Sequence, residues 1–270
     1  MQTAKHSQTI LVLMDFSDVS YMALKYAISL AKIWKRSIKL FHVFPSTIID
    51  SDDQTVNLND VEKYEREVIS TFSSIVEIIQ AEGVGTSYAL SRGHLTTSMI
   101  QEVTELQPEL IVIGRNKINT SCKTIQILIK NFSGCILSVG APWDFRENSK
   151  ICLVTRGEKT NPINLELLAE ICMSANVNLN WLDTTDTGKL AINGLDSARI
   201  NQIYSEESYS LGGLENAKTI NKVADNENVG LLCLTVRSRK FSYPKKKFGK
   251  KQLAPDLLKH TNRPILLICS

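Results

Sequence analysis

The sequence predicts an α/β protein made of two doubly wound parallel sheets of five strands each, the second a trimmed copy of the first. Three observations predict it. Short apolar runs alternate with stretches of helical spacing along the chain, and parallel neighbouring strands need crossovers of a dozen or more residues. The pattern occurs twice. Ile10-Leu-Val-Leu-Met-Asp15-Phe-Ser-Asp18, a helical stretch and Ile38–Val43 open the chain, while Ile151–Thr155, a helical stretch from Pro162 and Val177–Leu182 open its second half. Finally, 270 residues suit two domains at about 150 residues each. The expected units are 1–142 and 150–270, joined by Gly140-Ala-Pro142-Trp143 through Ser149.

Each element has its own signal. Ile10–Met14 is a continuous apolar run, as in a strand buried on both faces. Asp15, Ser17 and Asp18 offer helix caps, and Ala23, Ala27, Leu30, Ala31 and Trp34 follow at helical spacing. Ser37–Phe44 reads as the second strand, stopped by Pro45, and the aperiodic, polar Ser46–Asn59 as a loop. Val61–Ala81 has helical period and Gly83 ends it. Thr86–Leu90 is a strand, His94–Leu106 a helix, Leu110–Ile113 a strand, Ser121–Phe132 a helix and Cys135–Val139 the fifth strand. The second half repeats this order, with strands near 151–155, 177–182, 199–203, 230–236 and 264–268 and helices near 162–175, 210–225 and 250–260. Residues 184–198 are short, polar and glycine-containing where the first half has its 60–82 helix, so this crossover is trimmed.

Composition is that of a globular protein, 43% hydrophobic and 22% charged. A net charge of +3 is too weak to argue for nucleic acid, which wants a concentrated basic face. No run reaches the roughly 18 apolar residues of a membrane span, and the polar start Met1–Thr9 has no signal-peptide pattern, so the expected location is cytoplasmic. The six cysteines (Cys122, Cys135, Cys152, Cys172, Cys233, Cys269) form no C-x-x-C pair and read as reduced core residues. Four scattered histidines give no metal spacing, and no metal site is expected.

In a doubly wound sheet, ligands bind beyond the C-terminal strand ends where strand order reverses. That points to Asp15, Val43 and Gly114–Asn119. Asp15 is equally suited to capping the first helix.

At these positions the chain resembles the universal stress protein family, as a tandem two-domain member. The resemblance rests on Ile10–Asp18, on His42-Val43 ending the second strand, and on Leu110-Ile-Val-Ile-Gly114 leading into the fourth helix and fifth strand. It spans nearly the whole chain and is closest over residues 1–140. It implies a domain of the adenine nucleotide α-hydrolase-like type, a cytoplasmic protein, and pairing with a second copy through the edge fifth strand. In ATP-binding members an acidic residue ends strand one, a Val follows strand two, and a Gly-x2-Gly-x9-Gly-Ser/Thr loop follows strand four. Glycines there let backbone N–H groups approach phosphates.

Carried onto this chain, the resemblance makes Asp15, Val43, Gly114, Arg115, Lys117 and Ser121 the candidate binding residues, with ATP or another adenine nucleotide as the candidate ligand. Only the first glycine remains. Lys117 stands at the second, and Thr120-Ser121 close the motif only if the loop is shortened. Arg115, Lys117 and Lys123 could replace backbone contacts with charge. In the second half, Thr155 is set against Asp15, and Thr235-Val-Arg-Ser-Arg-Lys-Phe241 holds no glycine.

Arg237, Arg239, Lys240, Lys245–Lys247, Lys250 and Lys251 are the densest charge cluster. Such runs are usually solvated loops; the other reading is an adaptor surface at 245–251 for an acidic protein partner. Nucleic acid would want more aromatic platforms. No Gly-x-Ser-x-Gly, His-Glu-x-x-His or Walker loop occurs, and Asp15 with His42 lacks a third member. The expectation is therefore a non-enzymatic stress protein with no catalytic residue and no obligate cofactor. It keeps a degenerate nucleotide or anion site in domain 1, and its domains pair internally. A further homodimer stays open, and a slowly hydrolysing ATP binder is the alternative.

Overall fold

A computed structural model describes residues 7–45, 58–116, 120–140, 150–155, 162–183, 204–210, 217–236 and 253–269. The first half runs β1 (Ser7–Leu13), α1 (Asp18–Trp34), β2 (Ser37–Pro45), α2 (Leu58–Ala81), β3 (Thr86–Gly93), α3 (Leu95–Leu106), β4 (Pro108–Gly114), α4 (Thr120–Asn131) and β5 (Cys135–Val139). The second half runs β6 (Lys150–Thr155), α5 (Pro162–Ala175), β7 (Leu179–Asp183), β8 (Tyr204–Ser210), α6 (Ala217–Asn226), β9 (Val229–Val236), α7 (Leu253–His260) and β10 (Ile265–Cys269).

The strands form one sheet of ten, in the order β3-β2-β1-β4-β5-β10-β9-β6-β7-β8. Each half is parallel within itself, and the halves meet where β5 pairs antiparallel with β10, Cys135 opposite Ile268 and Ser138 opposite Ile265. The two expected five-stranded sets are thus hydrogen-bonded into a continuous sheet. Joining them removes two edges that would otherwise stay unpaired.

Helices cover both faces. Ile10, Val12, Leu110, Val112, Leu153 and Cys233 share one core with residues of α1, α2 and α5. Leu11, Ile111, Val154 and Leu232 share the other with residues of α3, α4, α6 and α7. Burial on both faces is why β4, β5, β9 and β10 read as nearly continuous apolar runs.

α1 shows how the local sequence sets an element. The Ser17 side chain accepts from the Ser20 N–H, and Asp18 places negative charge in the first turn. Ala23, Ala27, Ala31 and Trp34 then bury one stripe. Lys35 ends the helix in the left-handed region at φ 54°, its N–H donating to the Ala31 carbonyl.

The second half departs from expectation at its third strand. The strand paired with β7 is Tyr204–Ser210 rather than 199–203, which lie outside the described residues. β8 is an outer strand with a polar sequence, so the apolar-run criterion has nothing to register there. The following helix accordingly begins at Ala217, not 210. The 141–149 linker and the trimmed 184–198 segment also lie outside the described residues, as do 46–57 of the expected 46–59 loop.

Candidate functional site

The order reverses between β1 and β4: β1 feeds β2 on one side while β4 returns on the other. An open cleft of about 140 Å³ lies at their C-terminal ends. It is lined by Leu13, Met14, Asp15, Ser20, Phe41, Val43, Leu95, Ile113, Gly114 and Thr124. Asp15, Val43 and Gly114, widely separated in sequence, are therefore brought to one place. Leu13, Phe41 and Ile113 were not singled out from sequence. The period-two alternation of the strands contained the signal, because they share the face of Val43.

Asp15 is exposed, and its Oδ1 accepts from the Ser17 N–H at 3.0 Å and from the Ser17 hydroxyl. One carboxylate oxygen is thus engaged in shaping the turn into α1. Between them Phe16 adopts φ 60°. A left-handed Phe costs about 1 kcal/mol or more, and ring contacts hold it: Phe16 lies 5.0 Å from His42, 5.2 Å from Phe72 and 6.5 Å from Tyr21.

His42 does not line the cleft. It points to the opposite sheet face, is buried, and places Nδ1 2.8 Å from the Met14 carbonyl. Nε2 is buried without a partner. Burial holds its pKa below the ordinary value of 6.5, although the Met14 carbonyl and the Asp15 carboxylate pull the other way.

Gly114 is glycine for a reason the sequence did not reveal. A Cβ there would stand 2.6 Å from the Val19 carbonyl carbon and oxygen and 2.7 Å from the Ser20 nitrogen. The first turn of α1 crosses directly against β4, and no side chain fits between.

Arg115 corrects an expectation. It is buried, and Nη2 donates to the carbonyls of Thr261 at 3.1 Å and Arg263 at 2.8 Å. Its guanidinium crosses to the second half, ahead of β10, and serves the seam rather than the cleft. Lys117 lies outside the described residues, and Ser121 is placed only by its backbone, in the first turn of α4. The lysine segment 245–251 is likewise outside the described residues.

Pairing register also corrects Thr155. Ile10 pairs with Leu110 and Ile151 with Leu231, and all four lie in the same core. In that frame Thr155 matches Met14 and Thr235 matches Gly114, while the match for Asp15 is Arg156, outside the described residues.

Cys135, Cys152, Cys172, Cys233 and Cys269 are buried, and desolvation pushes Cys152, Cys172 and Cys269 up to about 12. Among the described residues no His, Cys, Asp and Glu cluster is placed to hold a metal, and no helix is long and apolar enough to cross a membrane.

The family model described as "Universal stress protein family" matches residues 6–122. Over this segment the chain is similar to that family. The fold likeness extends over the whole chain. The universal stress protein from Archaeoglobus fulgidus is similar with a TM-score of 0.72 at 12% identity, covering 97% of each chain. A functionally unknown protein from Pseudomonas aeruginosa is similar with a TM-score of 0.59 at 16% identity, covering 97% of this chain and 92% of that one. A search of curated proteins finds no match. The matched segment holds β1–β4 and hence every lining residue of the cleft but Thr124.

Proposed function

We propose that the chain is a cytoplasmic stress-response protein of the universal stress protein type that acts by binding rather than catalysis, with a remnant nucleotide or anion site in its first half. The observation that carries the reading is the cleft at the β1/β4 reversal. It keeps Asp15, Val43 and Gly114 together, yet its glycine is already committed to holding α1. The close approach of α1 accounts for this glycine without a phosphate, so Gly114 alone is no sign of a phosphate loop. Arg115, the nearest cation in sequence, is committed to the seam. The apolar walls Leu13, Phe41, Val43 and Ile113 suit the flat body of a base, and Asp15 offers an acceptor to a ribose or amino group. The internal pairing of two domains through β5 and β10 belongs to this reading, since one chain supplies both halves at high effective concentration.

Isothermal titration with ATP and Mg²⁺ tests it. The expected dissociation constant is weaker than about 10 µM, roughly −7 kcal/mol, with no phosphate release above background. Tighter binding, or bound adenine seen as raised 260 nm absorbance of the purified protein, overturns the loss of the phosphate site.

A further inference from the structure

We propose that His42 is a proton-operated latch on the turn that carries Asp15. The inference goes beyond the binding reading and does not depend on what occupies the cleft.

The geometry is a short chain of contacts. His42 on β2 donates from Nδ1 to the Met14 carbonyl at 2.8 Å, which fixes the neutral tautomer with its lone pair on Nε2. That nitrogen is buried and has no partner. The ring sits among Phe16 at 5.0 Å, Phe44 at 5.2 Å and Phe72 at 6.3 Å. Phe16 is also the residue held at φ 60° between Asp15 and Ser17. One imidazole therefore secures both the carbonyl before Asp15 and the strained residue after it.

A proton on Nε2 turns this arrangement against itself. The new N–H faces aromatic carbon, and a charge buried there without an acceptor is costly. The relief is for the ring to leave the aromatic pocket, towards water and the Asp15 carboxylate. Leaving breaks the bond to Met14 and removes the wall that keeps Phe16 left-handed. The turn then relaxes, and Asp15 moves from its place in the cleft. Among the described residues, the titratable groups that face this cluster are Asp15 in the turn itself, Tyr21 on α1 against Phe16, Tyr64 on α2 against Phe44, and Tyr88 on β3 stacked on Phe72. Asp15 is the carboxylate whose field reaches the ring.

The result is a cleft that is formed when His42 is neutral and loosened when it is protonated. This is the logic of a histidine switch, in which one buried charge biases a two-state element.

The test is ¹⁵N NMR of the full chain between pH 7.5 and 5.0, wild type beside His42→Asn. Asn keeps a donor for the Met14 carbonyl and carries no titrating group. In the wild type, the amides of Met14, Phe16 and Ser17 are expected to shift together, with one midpoint below 6.5 that coincides with titration of the His42 ring protons. In His42→Asn that shared transition is expected to vanish. Amides that stay fixed while the ring titrates overturn the proposal, and so does the same transition in His42→Asn. If the variant does not fold, the wild-type comparison of ring and amides still decides.

Discussion

The two halves of the sheet share a strand order, mirrored about the β5–β10 pair, and differ in the residues that end their matched strands. In the first half α1 lies against β4, its Val19–Ser20 backbone filling the space over Gly114. In the second half the register sets Thr235 of β9 against Gly114, and α5 packs on β10 and on α1. The seam is unequal as well. Arg115 crosses to Thr261 and Arg263, while the register gives Val236 as its counterpart, a residue of the apolar core that both halves share on that face. The difference teaches that a duplicated topology fixes where a crevice can form. In the first half a single glycine at a strand end is what lets α1 close against β4.

The most disruptive way to break this contrast is Gly114→Thr, which gives β4 the side chain β9 carries at the matched position. With Cβ 2.6 Å from the α1 backbone, α1 must move, and overpacking of this kind costs about 3 kcal/mol. The urea midpoint should fall accordingly. An unchanged midpoint would show that α1 does not need the glycine.

Arg115→Ala comes next. It leaves two carbonyls at the seam without their donor, a loss of about 2 kcal/mol. If Arg115 instead serves a ligand in the cleft, stability stays constant and only binding changes, so denaturation and titration together decide.

Asp15→Ala should cost only about 1 kcal/mol, the value of a capping-type hydrogen bond, because Ser17 still caps α1. Its larger effect should fall on whatever occupies the cleft. A stability loss with unchanged ligand binding would make Asp15 structural alone.

The smallest effect is in pH. The folded pKa of His42 is lowered, so the unfolded chain binds the proton first as pH falls through about 6.5. The stability owed to neutral His42 is complete above that value. It is lost progressively as pH drops towards the folded pKa. Denaturation curves at pH 7.5 and 5.5 should show a loss in the wild type that is smaller in His42→Asn; equal losses would assign the pH dependence to other groups.

Much of this was legible in the residues. Strands buried on two faces are continuous apolar runs, so Ile10–Met14, Leu110–Ile113 and Cys135–Val139 located β1, β4 and β5 to within a few residues. α1 carried its cap and its apolar stripe in order. The strand-end rule then placed Asp15, Val43 and Gly114 in one cleft. β8 escaped because an outer strand needs no apolar run. Thr155 was set against Asp15 because a run of similar apolar residues aligns equally well at several offsets, and only the hydrogen-bond register chooses among them. Arg115 escaped for a different reason: its partners Thr261 and Arg263 are 146 and 148 residues away, and no local pattern encodes them.

By itself the sequence determined the alternation of elements, the duplication and the strand ends at which a ligand site must lie, because these follow from period, burial and short-range backbone chemistry. Tertiary structure alone decided that Gly114 yields its space to α1, that Arg115 crosses to the other half, and that the ring of His42 supports the turn at Asp15. Those outcomes depend on distances of a few ångströms between distant segments, and such distances exist only once the sheet has closed its register.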